Sequence, residues 1–207
     1  MTERGILMSA PMVRAILEGR KTQTRRIVKA PRGWPQYSHC DPFTMPPAVW
    51  WWNGEHERVG IRQECSHGVP GDRLWVREAF MHDPATYCWE ASVSIPAIPA
   101  STIYRADCVD PRGGRWSPSI HMPRSLSRIT LEITDVRVER LQDISDADAV
   151  AEGVQVDECG HAIHEGDPIA WGGARGAYSM LWDRLNGAGS WDANPWVWVI
   201  SFKRLPA

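Results

Sequence analysis

The segment 127–141 (SRITLEITDVRVERL) constrains the fold more than any other part of the chain, because apolar and polar residues alternate along it. A period of two is that of a β-strand with one buried face and one solvated face. The alternation shifts near Asp135, which predicts a bulge or a turn at that point. The apolar positions are Ile129, Leu131, Ile133, Val136 and Val138. We therefore expect a strand pair over this segment.

Shorter patterns predict the other elements. Strands are expected at 5–9, 27–28, 73–80, 102–106 and 196–205. Helices are expected at 10–18, 144–153 and 176–185, with Ser9 as the cap and Gly19 as the stop of the first. Residues 30–71 and 81–123 read as irregular, because Pro and Gly recur in them. Short strands outnumber helices and no βαβ rhythm is present, so the sequence predicts an α+β fold, a small mixed β-barrel with peripheral helices.

The composition excludes several classes of protein. A chain of 207 residues is long enough for one domain with a single large core. Its formal net charge of -2 excludes a polybasic protein that binds its partner through bulk charge. No stretch approaches the ~20 apolar residues that span a bilayer, so we expect no membrane partner. The five cysteines are scattered without a CxxC pair, which favours a reducing, cytoplasmic environment.

Positive charge is concentrated near the N-terminus, where residues 1–32 hold eight basic residues and two acidic ones. The segment 19–26 (GRKTQTRR) in this region contains the residue types of a nucleophilic site. Burial or neighbouring cations would lower the pKa of Lys21, and a base close to Thr24 would make its hydroxyl a nucleophile. The alternative is a solvated basic loop that contacts phosphates or nothing. The cations that would act on Lys21 are Arg20, Arg25 and Arg26.

Other titratable residues carry weaker signals. Spacing does not distinguish Glu152 from the aspartates before it, so from spacing alone it reads as a surface carboxylate. A tetrahedral zinc site is a second hypothesis, although its spacing matches no strong template and an exposed loop is the simpler interpretation. Its ligands would come from Cys65, His67, Cys159, His161 and His164. His121 has no recognisable Ser or Cys partner for nucleophilic catalysis.

Nine of the 12 tryptophans divide into two groups. Trp75, Trp196 and Trp198 lie in strand patterns, where they would fill a barrel core or line its mouth. The others considered fall in irregular segments and would fasten loops to the body: Trp50, Trp51, Trp52, Trp89, Trp116 and Trp171. Either group offers a stacking surface for a nucleobase, although core packing is the simpler role.

Three segments together resemble the ASCH superfamily, in particular its long members in phages and prophages. They are residues 6–26 (ILMSAPMVRAILEGRKTQTRR), 70–78 (PGDRLWVRE) and 196–202 (WVWVISF). The family is marked by a G-x-K-x-x-x-x-R motif, which is present as Gly19, Lys21 and Arg26. The resemblance implies a PUA-like β-barrel and a link to RNA or nucleotide chemistry. It covers about half of the chain, so we expect one domain over 1–207 with insertions at about 30–69, 81–123 and 155–175.

The small bacterial ASCH amidohydrolases, which deacylate N4-acetylcytidine, carry the longer motif G-R-K-T-x-T-x-R, and the chain reproduces it at 19–26. The resemblance implies that Lys21 and Thr24 are the catalytic pair. It also assigns their partner, through helix position and a short Ala-x-x-Glu pattern, to Glu152. Substrate contacts are expected from Arg26 and from the remaining candidates, Gly19, Thr22 and Trp75.

The sequence thus predicts hydrolysis of an N4-acylated cytosine nucleoside to cytidine and a carboxylate, without a metal or other cofactor. Thr24 would attack the acyl carbonyl while Lys21 takes its proton, or Thr24 would position a water that Lys21 or Glu152 activates. Two alternatives remain open at this point. One is a non-catalytic RNA-binding module, and the other is a ribonuclease that uses the same basic cleft.

Overall fold

The computed structural model describes residues 1–29, 41–44, 48–52, 60–82, 102–108, 115–157, 162–164, 167–169 and 173–206. In chain order the elements are β1 (Glu3–Leu7), α1 (Ala10–Leu17), β2 (Gln23–Ile27), β3 (Asp41–Thr44), β4 (Ala48–Trp52), β5 (Gly60–Glu64), β6 (Arg73–Arg77), β7 (Phe80–His82), β8 (Thr102–Tyr104), β9 (Thr130–Arg140), α2 (Asp146–Ala151), β10 (Gln155–Val156), β11 (Ala162–His164), β12 (Asp167–Ile169), α3 (Gly173–Asn186) and β13 (Trp196–Arg204).

The main sheet has five strands in the order β1-β6-β9-β13-β2. Strands β1 and β6 are parallel, and the other neighbours are antiparallel. Three smaller sheets, β3-β4-β5, β7-β8 and β10-β11-β12, are formed by residues from the segments between these strands. The α+β class predicted from the sequence is confirmed, with a core made mostly of sheet.

The long alternating segment forms the single strand β9, which is the centre of the main sheet. The shift in its alternation is a bulge and not a turn, because β13 pairs with β9 along its whole length with a register shift between Ser201 and Phe202. Ser201 lies opposite Asp135, and Phe202 lies opposite Ile133. The extra residue restores the apolar side chains to the same face on both sides of the bulge.

Two apolar clusters lie on opposite faces of the main sheet, as the alternation along β13 shows. Trp198, Ile200 and Phe202 belong to the first cluster, which also contains Val13 and Ile16 of α1. The second cluster contains Val197 and Val199, together with residues of α2 and α3. Helix α1 therefore covers one face, and helices α2 and α3 cover the other.

The two edges of the main sheet come within reach of one side chain. The Nη2 atom of Arg26, on edge strand β2, donates a 2.9 Å hydrogen bond to the carbonyl of Leu7 at the end of edge strand β1. No ladder of backbone hydrogen bonds joins β1 to β2 within the described residues, so these strands do not form a closed barrel, and the mixed β-barrel expected from the sequence stays a prediction. The sheet curls so that its two edge strands approach each other. A side-chain hydrogen bond, and not strand pairing, connects these two strands.

Several boundaries differ from the predictions. Strand β2 begins at Gln23, four residues before the predicted strand at 27–28, because Thr24 and Arg26 pair with β13 although they are polar. The predicted strand at 73–80 is divided between β6 and β7. The irregular reading of 30–71 is wrong for 41–44, 48–52 and 60–64, which form strands, so Trp50, Trp51 and Trp52 lie in β4. None of the helices in the described ranges is long and apolar enough to cross a membrane.

Candidate active site

The junction between α1 and β2 carries the GRKTQTRR segment to the sheet edge. Gly19 follows the helix with φ of +77°, a conformation that glycine adopts without steric cost. The amides of Arg20 and Lys21 both donate to the carbonyl of Ala15. The amide of Thr22 then donates to the carbonyl of Ala151 in α2, 2.9 Å away. These bonds place Lys21 between α1, β2 and the end of α2.

Lys21 and Glu152 form an ion pair that is almost closed to solvent. The Nζ atom of Lys21 lies 2.7 Å from Oε2 of Glu152, and the two side chains are 0% and 3% exposed. Nζ also donates to the carbonyl of Gln23 at 2.7 Å and to the carbonyl of Glu152 at 2.8 Å. An ammonium group has three N–H donors, so this arrangement satisfies all of them.

Burial is the main influence on the charge of Lys21. Removal from water lowers the pKa of the Lys21 amine below its ordinary value, because a buried ammonium loses hydration. The Glu152 carboxylate raises that pKa, and the nearby Arg26 and Arg25 cations lower it further. The balance favours an amine that gives up its proton more readily than an exposed lysine does, as a general base requires.

A second cation contacts Glu152 from the opposite side. The Nη1 atom of Arg25 lies 3.3 Å from Oε1 of Glu152 and 2.7 Å from the side-chain oxygen of Gln23. Its remaining nitrogens bind Glu139, at 3.1 Å and 2.5 Å, and Nη2 lies 3.4 Å from Asp148. The Arg25 side chain is fully buried, so its charge is balanced entirely by these carboxylates.

Thr24 lies on the other face of β2. It pairs with Ile200 of the first apolar cluster, whereas Gln23 and Arg25 alternate to the side that carries α2 and α3. Its hydroxyl oxygen accepts a 2.9 Å hydrogen bond from Nη1 of Arg26, and the residue is 0% exposed. No hydrogen bond between Lys21 and the Thr24 hydroxyl is present among the described residues. The structure thus brings Lys21 and Glu152 into contact and leaves Thr24 next to Arg26.

Arg26 connects the two halves of the site electrostatically. Its guanidinium binds Thr24 and the carbonyls of Arg25 and Leu7. Burial lowers the pKa of Arg26, while the Glu152 carboxylate raises it, so the Arg26 and Glu152 charges act on each other. A cation fixed beside the hydroxyl oxygen of Thr24 stabilises an alkoxide that forms there.

Two residues at the site, Gly153 and Tyr178, were not among the predicted site residues, and Arg25 was expected only as a cation near Lys21. Tyr178 of α3 is 4% exposed, and burial together with the Glu152 carboxylate raises its pKa well above the ordinary value. Gly153 has φ of +100°, and a Cβ atom added there would lie 3.1 Å from Cβ of Ala15 and 3.3 Å from Cβ of Lys21. The only sequence features that pointed to Gly153 were its position next to Glu152 and its place at the end of the predicted helix.

The remaining predicted site residues lie apart from the ion pair or act through their backbone. Gly19 and Thr22 are exposed, and their amides donate to backbone carbonyls. Trp75 pairs with Gly5, on the face of β6 opposite to the buried Leu74 and Val76. The Arg77 guanidinium lies 5.2 Å from the centre of the Trp75 ring. We find no contact of Trp75 with Lys21, Thr24 or Glu152 in the part of the chain that the structure describes.

The residues of the zinc hypothesis are only partly described. Cys159 and His161 lie outside the described residues, and only the backbone of His164 is described. Burial raises the pKa of the Cys65 thiol and lowers the pKa of His67 to about 4. No group of three metal-ligating side chains occurs among the described residues. His121 is exposed in a short 3₁₀ turn.

The chain was compared with protein-family models, with curated proteins and with solved structures, and none of them matches it. What supports a function is therefore the chemistry of the buried residues. The described site contains an amine, the carboxylate-bound guanidinium of Arg25, the guanidinium of Arg26 and a hydroxyl around one edge strand. A shallow groove on α2 and α3, lined by Ala147, Val150 and Ala174 among others, lies outside this site.

Proposed function

We propose that the protein is an ASCH-type amidohydrolase with a PUA-like barrel, and that it removes the acyl group from N4-acetylcytidine or a related N4-acylated cytosine nucleoside. The products are cytidine and a carboxylate. The proposal rests on one observation above all, the buried contact between Lys21 and Glu152. A lysine whose pKa is lowered by burial, hydrogen-bonded to a carboxylate, forms a general acid–base pair.

The fold supports this assignment in one respect. The main sheet curls until Arg26 of β2 reaches Leu7 of β1, so its two edges approach as they would in an open barrel. Arg26 is the last residue of the G-x-K-x-x-x-x-R motif, and Gly19 and Lys21 are its first members. The motif therefore spans the turn after α1 and the edge strand β2.

The reaction uses the pair twice. A proton moves from Nζ of Lys21 to Oε2 of Glu152. Because no hydrogen bond joins Lys21 to Thr24 directly, the neutral amine then takes the Thr24 proton through one bridging water as the hydroxyl oxygen attacks the acyl carbonyl carbon. The tetrahedral oxyanion collapses, the C–N bond breaks, and Glu152 gives its proton to N4 so that cytidine leaves. The pair then activates a water molecule on the acyl-Thr24 ester, which releases the carboxylic acid and restores the hydroxyl.

Arg26 supplies the positive charge that these steps need. It already donates to the Thr24 hydroxyl oxygen, so it stabilises negative charge on that atom and on an oxyanion formed beside it. Thr22 follows Lys21 in the chain and is exposed, and the charge of the partly exposed Arg26 acts on both Lys21 and Glu152. We therefore expect the acyl group to enter between Thr22 and Arg26.

The charges of the basic N-terminal region weigh against an RNA-binding surface. Lys21 and Arg25 are buried against carboxylates, and Arg20 pairs with Glu18. Arg4 lies 3.2 Å from Asp72. A phosphate-binding surface needs exposed and unneutralised cations, whereas four of the eight basic residues of this region are paired with carboxylates, two of them in the interior. A small neutral substrate fits this arrangement better than a polyanion does.

The test is incubation of the purified protein with a series of N4-acylated cytidines, followed by chromatography of the nucleosides and mass spectrometry of the quenched protein. We expect cytidine release and an acyl adduct on Thr24 at early times. Release of cytidine without any adduct would favour the alternative in which Thr24 positions water. Salt-dependent RNA binding or RNA cleavage without nucleoside turnover would overturn the proposal.

A further inference from the structure

Arg25 lies between Thr24 and Arg26 in the chain. Its side chain makes polar contacts with Glu152 and with the residues around Glu152. Its guanidinium donates to Gln23, Glu139 and Glu152 and has no exposed side-chain surface. The ring of Tyr178 lies 6.0 Å from its central carbon. Because the guanidinium is planar and its donors are rigidly arranged, contacts on several of its edges hold it in one orientation.

Two cations share the Glu152 carboxylate. Oε2 of Glu152 accepts from Lys21, and Oε1 accepts from Arg25. The Arg25 contact limits rotation of the carboxylate, so Oε2 stays directed at Nζ of Lys21. The Arg25 cation also weakens the attraction between the Glu152 carboxylate and the Lys21 ammonium, because the two cations share one negative charge.

We propose that Arg25 is a positioning residue, which holds Glu152 towards Lys21 and determines how firmly Lys21 keeps its proton. This inference rests on the proposed function only for its catalytic consequence, since the ion pair exists whether or not the chain turns over a nucleoside. The charged and titratable groups around Lys21 come from four elements and the segment after α2. They are Arg25 and Arg26 on β2, Asp148 on α2, Glu152 after α2, Tyr178 on α3 and Glu139 on β9.

The composition of the chain makes a direct measurement practical. It contains three lysines, Lys21, Lys29 and Lys203, and the last two are exposed. In protein labelled with ¹³C and ¹⁵N in lysine alone, the side-chain signals can be assigned by the loss of one signal in Lys21→Met. A pH titration of these signals then reports the pKa of Lys21, with the exposed lysines as internal references.

We expect Arg25→Gln to raise the pKa of Lys21, because the variant removes a nearby cation and leaves the Glu152 carboxylate to Lys21 alone. Arg124→Gln is the matched control. Arg124 pairs with Glu3 at 2.9 Å, and its contacts in the described region do not include Lys21, Arg25 or the carboxylates that bind them. The control should leave the pKa of Lys21 nearly unchanged. Equal shifts in the two variants, or no shift in Arg25→Gln, would overturn the proposal.

A second variant covers the case in which Arg25→Gln does not fold. Glu139→Gln removes the charge of the other carboxylate that binds Arg25, so the guanidinium interacts more strongly with Glu152. The pKa of Lys21 should then fall, and an unchanged value would contradict the proposal.

Activity gives a separate readout of the same role. In Arg25→Gln the acidic limb of the kcat/KM profile should move to higher pH together with the Lys21 titration, with KM little changed. If the wild type releases no cytidine, the proposed function fails. The lysine titration still decides whether Arg25 governs Lys21.

Discussion

Nζ of Lys21 and Oε2 of Glu152 lie 2.7 Å apart, although 131 positions separate the two residues in the chain. The contact joins the turn after α1 to the end of α2 across the edge of the main sheet. Both side chains are buried, so water does not stabilise either charge. Each charged group is stabilised by the other instead. The predictions below follow from this pair and from its neighbours.

Glu152→Gln should abolish most of the activity and also destabilise the protein. The amide still accepts a hydrogen bond but carries no charge, so Lys21 loses its counterion and the pair can no longer transfer a proton. We expect turnover to fall by roughly 10²-fold or more and the free energy of unfolding to fall by about 3 kcal/mol. Cytidine release and urea denaturation measure the two effects. Asp143→Asn, at an exposed carboxylate before α2, should leave both nearly unchanged.

Gly153→Ala should damage the site more than the same change at a glycine of similar backbone conformation. A Cβ atom at Gly153 would press on Ala15 and Lys21, whereas Gly187, with φ of +105°, has open space around it. In both variants the positive φ lowers the free energy of unfolding by about 1–2 kcal/mol, because alanine has a Cβ atom. Thermal unfolding should show an additional loss only in Gly153→Ala, together with reduced turnover. Equal stability and activity in the two variants would show that Lys21 does not need this close approach.

Much of this junction was predictable from local rules. A glycine after an apolar helix predicts a stop, and Gly19 adopts the expected left-handed conformation. The capping position of Ser9 is also correct, although its side chain makes no cap hydrogen bond. The alternation around Asp135 predicted the bulge, because period two is a local property that survives in the fold.

The carboxylate partners of Arg25 were not predictable, because each lies far away in sequence and is brought near by the fold. Glu139 lies on β9, two strands away from β2 in the main sheet, and Glu152 follows α2. The same reason explains the early start of β2. The polar residues of β2 are typical of a loop. They form a strand because β13 provides backbone hydrogen bonds and Glu152 provides a negative charge for Arg25.

Trp75→Ala should leave catalysis intact, because Trp75 packs over Gly5 and Arg77, on the face of β6 opposite to the core. We expect kcat/KM within about twofold of the wild type and a loss of about 1 kcal/mol in stability. Trp198→Ala, by contrast, removes a buried indole of the first apolar cluster and should cost about 3–5 kcal/mol. A large rise in KM for Trp75→Ala would place the nucleobase on that indole instead.

Asp72→Asn should destabilise the protein at neutral pH but not in strong acid. The Asp72 carboxylate accepts hydrogen bonds from the amide of Thr2 at 2.7 Å and from Arg4 at 3.2 Å, which lowers its pKa from 3.8 to about 2. A depressed pKa contributes stability that is present above pH 3.8 and is lost as the pH falls through about 2. Denaturant unfolding of both proteins over this range should show their difference shrinking towards acid. A constant difference would contradict the assignment.

The central claim is that the buried Lys21–Glu152 pair performs the proton transfers of an amidohydrolase. Its most direct test is the rate of cytidine release from N4-acetylcytidine by the wild type, by Lys21→Met and by Arg124→Gln, each shown to be folded. We predict multiple turnovers for the wild type and Arg124→Gln, and a loss of roughly 10³-fold for Lys21→Met. A wild type without turnover, or a Lys21→Met variant as fast as the wild type, would contradict the claim.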